Sequence, residues 1–392
     1  MEWVTKGLDE ALFIQEGPGI RKYEYEDDGY PMINVRCVQD GYVDMSKSRS
    51  ANYELATTKW KHFQVEENDI LYTISGTIGR SAIVKKSDLP LLMNTSVVRF
   101  RSLTECLDTK FVYYAFKTDT FINELLGHST GTAIKNVGPS HLKKMTISYP
   151  PLKEQKRIVA LLDTVFADLE QARAKTEQNL KNARELFDSY LQQVFSQKGE
   201  GWVQDKLKSV CRLINGRAYK KPEMLSEGKY PLLRVGNFFT NRSWYYSDLE
   251  LHEDKYCNNG DLLYAWSASF GPRIWEGGKT IYHYHIWKTD IKKDLVLKHF
   301  LFYWFHWDAT NVKKEHGTGS TMIHVSMTSM NARNISYPSI KEQTNIVDKL
   351  QSLDSSCKEL ESIYTEKLAS IDEFKKSILQ KAFSGELTTT AE

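Results

Sequence analysis

A chain of 392 residues, 41% hydrophobic and 26% charged, has room for two or three domains and is too apolar for wholesale disorder. No apolar run reaches the ~18–20 residues that span a bilayer, and Met1-Glu2-Trp3-Val4-Thr5-Lys6 lacks the build of a secretion signal, so a cytoplasmic protein with no membrane partner is expected. The net charge of +2 excludes a uniformly basic coat; residues 199–338 carry 19 Lys and Arg against 14 Asp and Glu, residues 1–151 carry 18 against 19, so contact with an acidic partner must come from local clusters.

Residues 1–150 read as a mixed domain. Short β-rich runs, Asp69–Ile74 and Ser96–Phe100, alternate with glycine turns, and Phe111–Phe116 reads as a buried helix. After the Tyr149-Pro150-Pro151 stop, Ile158, Leu162, Val165, Leu169, Ala172, Ala183, Leu186 and Tyr190 recur in steps of three and four, predicting a helix within 151–198. Thr176 and Asn179 are polar at seam positions and weaken the stripe there. Gln197–Gly201 is a linker, and 199–338 forms a second mixed domain in which His299–Trp304 is a buried helix. A second long helix follows over 339–384, with Ile346, Leu350, Leu353, Cys357, Leu360, Tyr364, Ile371, Phe374 and Ile378 on its seam, and then a fraying tail, 385–392. Each rod measures roughly 65 Å at ~1.5 Å per residue. One such stripe cannot stay in water, so the two rods are expected to pack on each other.

The chain is written twice. Residues 147–155 read I-S-Y-P-P-L-K-E-Q and residues 335–343 read I-S-Y-P-S-I-K-E-Q, an offset of 188 that holds without a gap from Ser129 to Ser196. Upstream the offset drifts: Asp69-Ile70-Leu71-Tyr72 matches Asp261-Leu262-Leu263-Tyr264 at 192, and Tyr30-Pro31-Met32-Ile33 matches Tyr230-Pro231-Leu232-Leu233 at 200. A fixed downstream half and a drifting upstream half mean a rigid module joined to a variable one. Two copies of one unit this long imply a pseudo-twofold molecule rather than a solenoid, whose repeats run ~20–50 residues.

The runs Pro150–Val159 (P-P-L-K-E-Q-K-R-I-V), Pro338–Val347 (P-S-I-K-E-Q-T-N-I-V) and Leu379–Leu387 (L-Q-K-A-F-S-G-E-L) resemble the helical regions of type I restriction–modification specificity subunits. Trp202 through Leu213-Ile214-Asn215-Gly216-Arg217-Ala218-Tyr219 resembles the opening of a target recognition domain of that family, and the resemblance covers essentially the whole chain. It implies an α+β protein: two mixed α/β target recognition domains separated by two long helices packed as an antiparallel coiled coil. It implies double-stranded DNA, two methyltransferase (modification) subunits and restriction subunits as partners. The partners methylate adenine with S-adenosylmethionine, while this chain supplies sequence choice and holds no cofactor. In the first domain Gly17-Pro18-Gly19-Ile20-Arg21 stands where Asn215-Gly216-Arg217 would be expected.

The rival reading is an enzyme, a methyltransferase or nuclease with its own site in a variable domain, and its motifs are missing. Tyr149-Pro150-Pro151-Leu152 has the wrong order for an adenine-methyltransferase motif and sits at a helix entry, where proline belongs. Glu66-Glu67-x-Asp69 and Asp27-Asp28 read as solvated acidic turns rather than a metal site. His283-x-His285, on one face of a strand, has no third ligand, and Gly317-Thr318-Gly319-Ser320-Thr321 lacks the G-K-[ST] ending of a phosphate loop. Five scattered cysteines, with no C-x-x-C, form neither a zinc site nor a disulfide framework.

DNA reading needs cations near phosphates and hydrogen-bonding side chains on base edges. Turns that recur in both copies supply candidates. Arg80 and Arg273 end matching turns; Arg21 and Lys22 match Arg217, Lys220 and Lys221; Thr130, Thr132, Lys135 and Asn136 face Thr318, Ser320 and Thr321. Two readers on one DNA face put half-site centres ~34 Å apart, shorter than the rods, so the domains are expected to fold inward along them. The expected target is asymmetric and bipartite, with a spacer of roughly 6–8 unread base pairs.

Overall fold

Good helix formers without Gly or Pro favour unbroken helix, and the computed structural model has two such rods, Leu152–Ser196 and Ile340–Ser384, each of 45 residues. It describes residues 2–127, 137–240, 243–267, 271–316 and 324–387. The chain divides into two units, residues 1–176 with 366–392 and residues 177–365, so each unit takes half of each rod.

The first unit holds an antiparallel sheet in the order Leu12–Glu16, Val97–Ser102, Ile70–Thr73, Ser81–Ile83. A smaller sheet pairs Arg49–Ala51 with Tyr25–Ile33, and the latter runs parallel to Leu92–Met93. Val4–Gly7 pairs with Thr146–Tyr149 at the foot of the rod. The second unit repeats this plan. Its main sheet runs Cys211–Asn215, Ile286–Ile291, Leu262–Ala265, Gly271–Ile274. Its smaller sheet holds Tyr245–Ser247, Tyr230–Leu233, Thr280–Tyr282 and Tyr256–Cys257, and Val203–Lys206 pairs with Asn334–Tyr337. The expected buried helices are present as Thr109–Ala115 and Lys298–His316.

Within each unit the two half-rods pack antiparallel. In the first, Glu170 pairs with Lys375 at 2.8 Å and Arg173 with Asp372, while Ile158 and Leu162 share a core with Leu379 and Ala382. In the second, Arg184 pairs with Glu361 at 3.1 Å, and Leu191 and Phe195 share a core with Val347 and Leu350. Thr176 is fully enclosed on the seam, its hydroxyl satisfied by the Ala172 carbonyl one turn back at 2.7 Å. Ile346 packs on the second core; Val165, Leu169 and Leu353 are half-buried, and Ile371 is buried. Three expected seam residues are not on it: Leu186, Leu360 and Phe374 are exposed. From Ala183 the inward face steps four residues to Phe187, which lies 6.0 Å from Tyr303, and not three to Leu186. Near Phe374 the inward residue is Lys375, stacked 5.3 Å over the Phe166 ring.

The repeated K-E-Q has a structural cause. The Gln155 amide donates to the Pro150 and Cys106 carbonyls at 2.7 and 2.8 Å and accepts from the Asp108 amide at 2.9 Å. Gln343 does the same to Pro338 and Leu295, at 2.9 and 2.8 Å, and to the Leu297 amide at 2.8 Å. Both side chains are wholly buried, so each staples its rod to the domain that precedes it. Aromatic packing repeats as well: Phe111 lies 6.1 Å from Trp3 and 4.8 Å from Phe383, and Phe300 lies 6.1 Å from Trp202 and 5.3 Å from Phe195.

Three further expectations need correction. The first three residues of the expected tail are ordered: a left-handed Gly385 (φ 84°) turns the chain, Leu387 packs on the first core, and its carbonyl accepts from Arg157. Asp69 is no solvated turn but wholly buried, gripped by Arg101 at 2.7 and 3.0 Å and by Arg99 at 3.3 Å. His283 makes an isolated bridge with Arg217 and His285 lies in the turn before the strand Ile286–Ile291, so the two do not share a strand face. All five cysteines are free, four of them buried.

Candidate nucleic-acid interface

The first unit's interface starts where the strand Leu12–Glu16 ends. Gly17 donates to the Val97 carbonyl at 3.3 Å, and a Cβ there would sit 2.4 Å from the Asn94 carbonyl oxygen, so only glycine allows this approach. Gly216 occupies the same place in the second unit: it donates to Ile286 at 3.2 Å, and its Cβ would meet the Tyr282 and His283 carbonyls at 2.3 and 2.4 Å. Gly17 is thus the counterpart of Gly216, and Pro18 stands where the second unit has Arg217.

Downstream the two copies run in step. The Arg21 amide donates to the Glu24 carboxylate at 2.7 Å, as the Lys220 amide does to Glu223 at 2.8 Å, so Arg21 matches Lys220 and Lys22 matches Lys221. All four of these cations are exposed. Arg217 is engaged within the protein: it makes a two-pronged bond to Glu223 at 2.6 and 3.1 Å and lies 5.1 Å over the Tyr219 ring. That contact holds the Glu223 carboxyl below its usual range.

Arg80 and Arg273 are not equivalent. Thr73 donates to the Arg80 carbonyl at 2.9 Å, whereas the matching Ala265 pairs with Gly271. Arg273 lies two residues further along and donates to the Phe238 carbonyl, bracing the helix Val235–Phe239. Thr130, Thr132, Lys135, Asn136, Thr318, Ser320 and Thr321 lie outside the described residues.

Sequence reasoning missed the cations that gather in the first unit. A cleft of about 470 Å³ is lined by Asn34, Arg36, Lys47, Arg49, Asn94 and Ser96. Arg80 lies near enough to Lys47 to oppose its charge. A second cleft of about 700 Å³ shares Tyr25 and Arg49 with the first and adds Lys22 together with the acidic Glu26 and Asp27. Arg49 lies 5.6 Å over the Tyr25 ring, and Lys47 pairs with Asp44 at 2.8 Å, a bond that holds the Asp44 carboxyl low. In the second unit Arg234 stands where the first has Asn34 and lies 5.4 Å over the Tyr245 ring. Burial, then a neighbouring histidine, then the Arg234 charge depress His283 and His285, together taking His283 down to about 4. The available signal was the residue that follows each aligned run, Asn34 after Tyr30–Ile33 and Arg234 after Tyr230–Leu233.

The first of these clefts fits a polyanion, with Arg36, Lys47 and Arg49 lining it beside the neutral hydrogen-bonding Asn34, Asn94 and Ser96. Among the described residues no group of three or more His, Cys, Asp or Glu could hold a metal, and no helix is long and apolar enough to cross a membrane.

Comparison with known proteins bears on this surface. The family profile of the type I restriction modification DNA specificity domain matches residues 1–178 and again 199–369. The specificity subunit of the type I restriction enzyme EcoKI from Escherichia coli K12 is 24% identical, over 98% of this chain and 89% of the relative. That of StySPI from Salmonella potsdam is 22% identical, over 98% and 89%. Among solved structures, a chain from a study of complex assembly and conformational transition of the type I R-M system gives a TM-score of 0.80, at 18% identity and 98% coverage of both chains. The HsdS subunit from Thermoanaerobacter tengcongensis gives 0.63, at 18% identity and coverage of 98% and 97%.

Proposed function

Because this chain belongs to the type I restriction modification DNA specificity family, we propose that it reads an asymmetric, two-part double-stranded DNA target, one half-site per unit. It acts as the sequence-choosing subunit of a larger enzyme. Two modification subunits bound to it methylate adenine within the chosen site using S-adenosylmethionine, and restriction subunits complete the cutting assembly. The rods set the interval between half-sites at ~34 Å between centres, leaving a spacer of roughly 6–8 unread base pairs. The reading rests on one observation above all: the same backbone plan occurs twice, with exposed cations at matched turns and different side chains around them.

Sequencing methylated sites from cells carrying the complete system tests it. The expected result is a bipartite, non-palindromic target with methylated adenine in each half. One continuous target would contradict it. Purified alone, the chain should neither methylate nor cleave, and methylation should appear only when modification subunits are added.

A further inference from the structure

We propose that two three-residue turns, Asn94-Thr95-Ser96 in the first unit and His283-Tyr284-His285 in the second, are the base-reading elements of the two half-sites. The assignment rests on the DNA-reading function above and names the groups that carry it. Each turn leads from the smaller sheet into the main one, joining Leu92–Met93 to Val97–Ser102 and Thr280–Tyr282 to Ile286–Ile291.

Their backbones are fixed by the same bonds. The Asn94 amide donates to Ile33 at 3.1 Å, and the His283 amide to Leu233 at 2.9 Å. Val97 donates back to Asn94 at 3.1 Å, and Ile286 to His283 at 2.9 Å. Ser96 accepts from Ile74 at 3.1 Å, and His285 from Trp266 at 3.0 Å. Gly17 and Gly216 close against the two turns as described, and in both the middle residue is exposed while its neighbours are half-buried. The backbone bonds are common to both turns, and each adds a side-chain bond of its own kind, from Ser96 to Asn94 Oδ1 in the first and from the His285 amide to His283 Nδ1 in the second.

On this shared frame every side chain can hydrogen-bond, and no position carries the same residue twice. In the first turn the Asn94 amide oxygen accepts from the Ser96 amide and hydroxyl at 3.1 and 2.7 Å. That leaves the Asn94 N–H donors and the Thr95 hydroxyl to face outward, a set suited to acceptor-rich base edges such as guanine N7 and O6. In the second turn both imidazoles are held neutral at pH 7; His283 Nδ1 accepts from the His285 amide at 3.5 Å, leaving its other ring nitrogen as a donor, while His285 offers one donor and one acceptor and the exposed Tyr284 adds a hydroxyl. Cations suited to phosphate flank both turns: Arg36, Lys47 and Arg49 share the first turn's cleft, and Arg234 lies beside the two histidines.

The test uses the chain assembled with its modification subunits. Two double variants, Asn94→Ala with Ser96→Ala and His283→Ala with His285→Ala, are compared with wild type by methylated-site sequencing and by competition between duplexes altered at single positions. Each should relax one half-site, with discrimination falling about tenfold at one or more positions, and leave the other half and the spacer intact. Should a double variant fail to fold, Thr95→Ala and Tyr284→Ala, which remove only exposed side chains, read out the same preference. Unchanged half-sites in folded complexes would overturn the assignment, as would an equal loss of affinity for every duplex. A wild-type complex with no two-part target would instead overturn the functional reading beneath it.

Discussion

The rod entry and the reading turn are both built twice, but in different ways. At the entry, Gln155 and Gln343 are the same residue making the same three bonds. At the turn, Asn94–Ser96 and His283–His285 share their backbone bonds and no residue. Where duplication has kept side chains as well as backbone, the side chains hold the fold. Where it has kept backbone alone, the side chains differ, and the groups they leave unpaired are the ones proposed to meet DNA.

The largest test of that contrast is Gln343→Ala or Gln155→Ala. Either leaves one buried carbonyl, one partly buried carbonyl and one amide without their side-chain partner, which should cost about 3 kcal/mol of stability. Denaturant unfolding reads the loss, and sequence preference should stay unchanged in the folded fraction; a change of preference would erase the distinction. Gly17→Ala and Gly216→Ala come next. Each pushes a methyl into backbone and should cost about 2 kcal/mol, and because the carbonyl struck belongs to the turn or its edge, the matching half-site should also loosen. Arg49→Ala should be milder, about 1 kcal/mol of affinity lost alike for all sequences, with a shallower salt dependence. Titrating binding against salt checks this; loss confined to one sequence would make Arg49 a base reader.

The smallest effect is on acid stability. Because His283 is depressed to about 4, the unfolded chain takes up its proton more readily than the folded one. Stability should therefore fall as pH drops from the ordinary ~6.5 towards 4 and level off below. Solvent screening at this half-exposed ring limits the effect to about 1 kcal/mol. Thermal unfolding of His283→Asn at pH 7 and 4.5 should show a smaller acid loss than wild type, and an equal loss would mean the ring titrates normally.

The repeat and the rods were legible because the 188-residue offset is constant over them and heptad spacing reports helix directly, and the mixed domains because short β-rich runs alternate with glycine turns. The seam drifted at Leu186, Leu360 and Phe374 because steps of three and of four are both compatible with one face, and only packing partners such as Tyr303 choose between them. The candidate interface was legible in part. Arg21, Lys22, Lys220 and Lys221 fall on matched turns as expected, whereas Arg80 and Arg273 differ by two strand positions that the drifting offset concealed. Arg36, Lys47 and Arg49 reach one cleft from separate segments, which no local pattern records. The reading turns were hidden for a stronger reason: Asn-Thr-Ser and His-Tyr-His have nothing in common for a repeat search to match, and their equivalence exists only in backbone hydrogen bonds.

Replacing His283-Tyr284-His285 with Asn-Thr-Ser in the assembled enzyme, then sequencing its methylated sites, tests the central claim most directly. A frame that is common to both units and specific only through its side chains predicts a changed second half-site beside an unchanged first half and spacer. An active complex that still marks the original second half-site would contradict it.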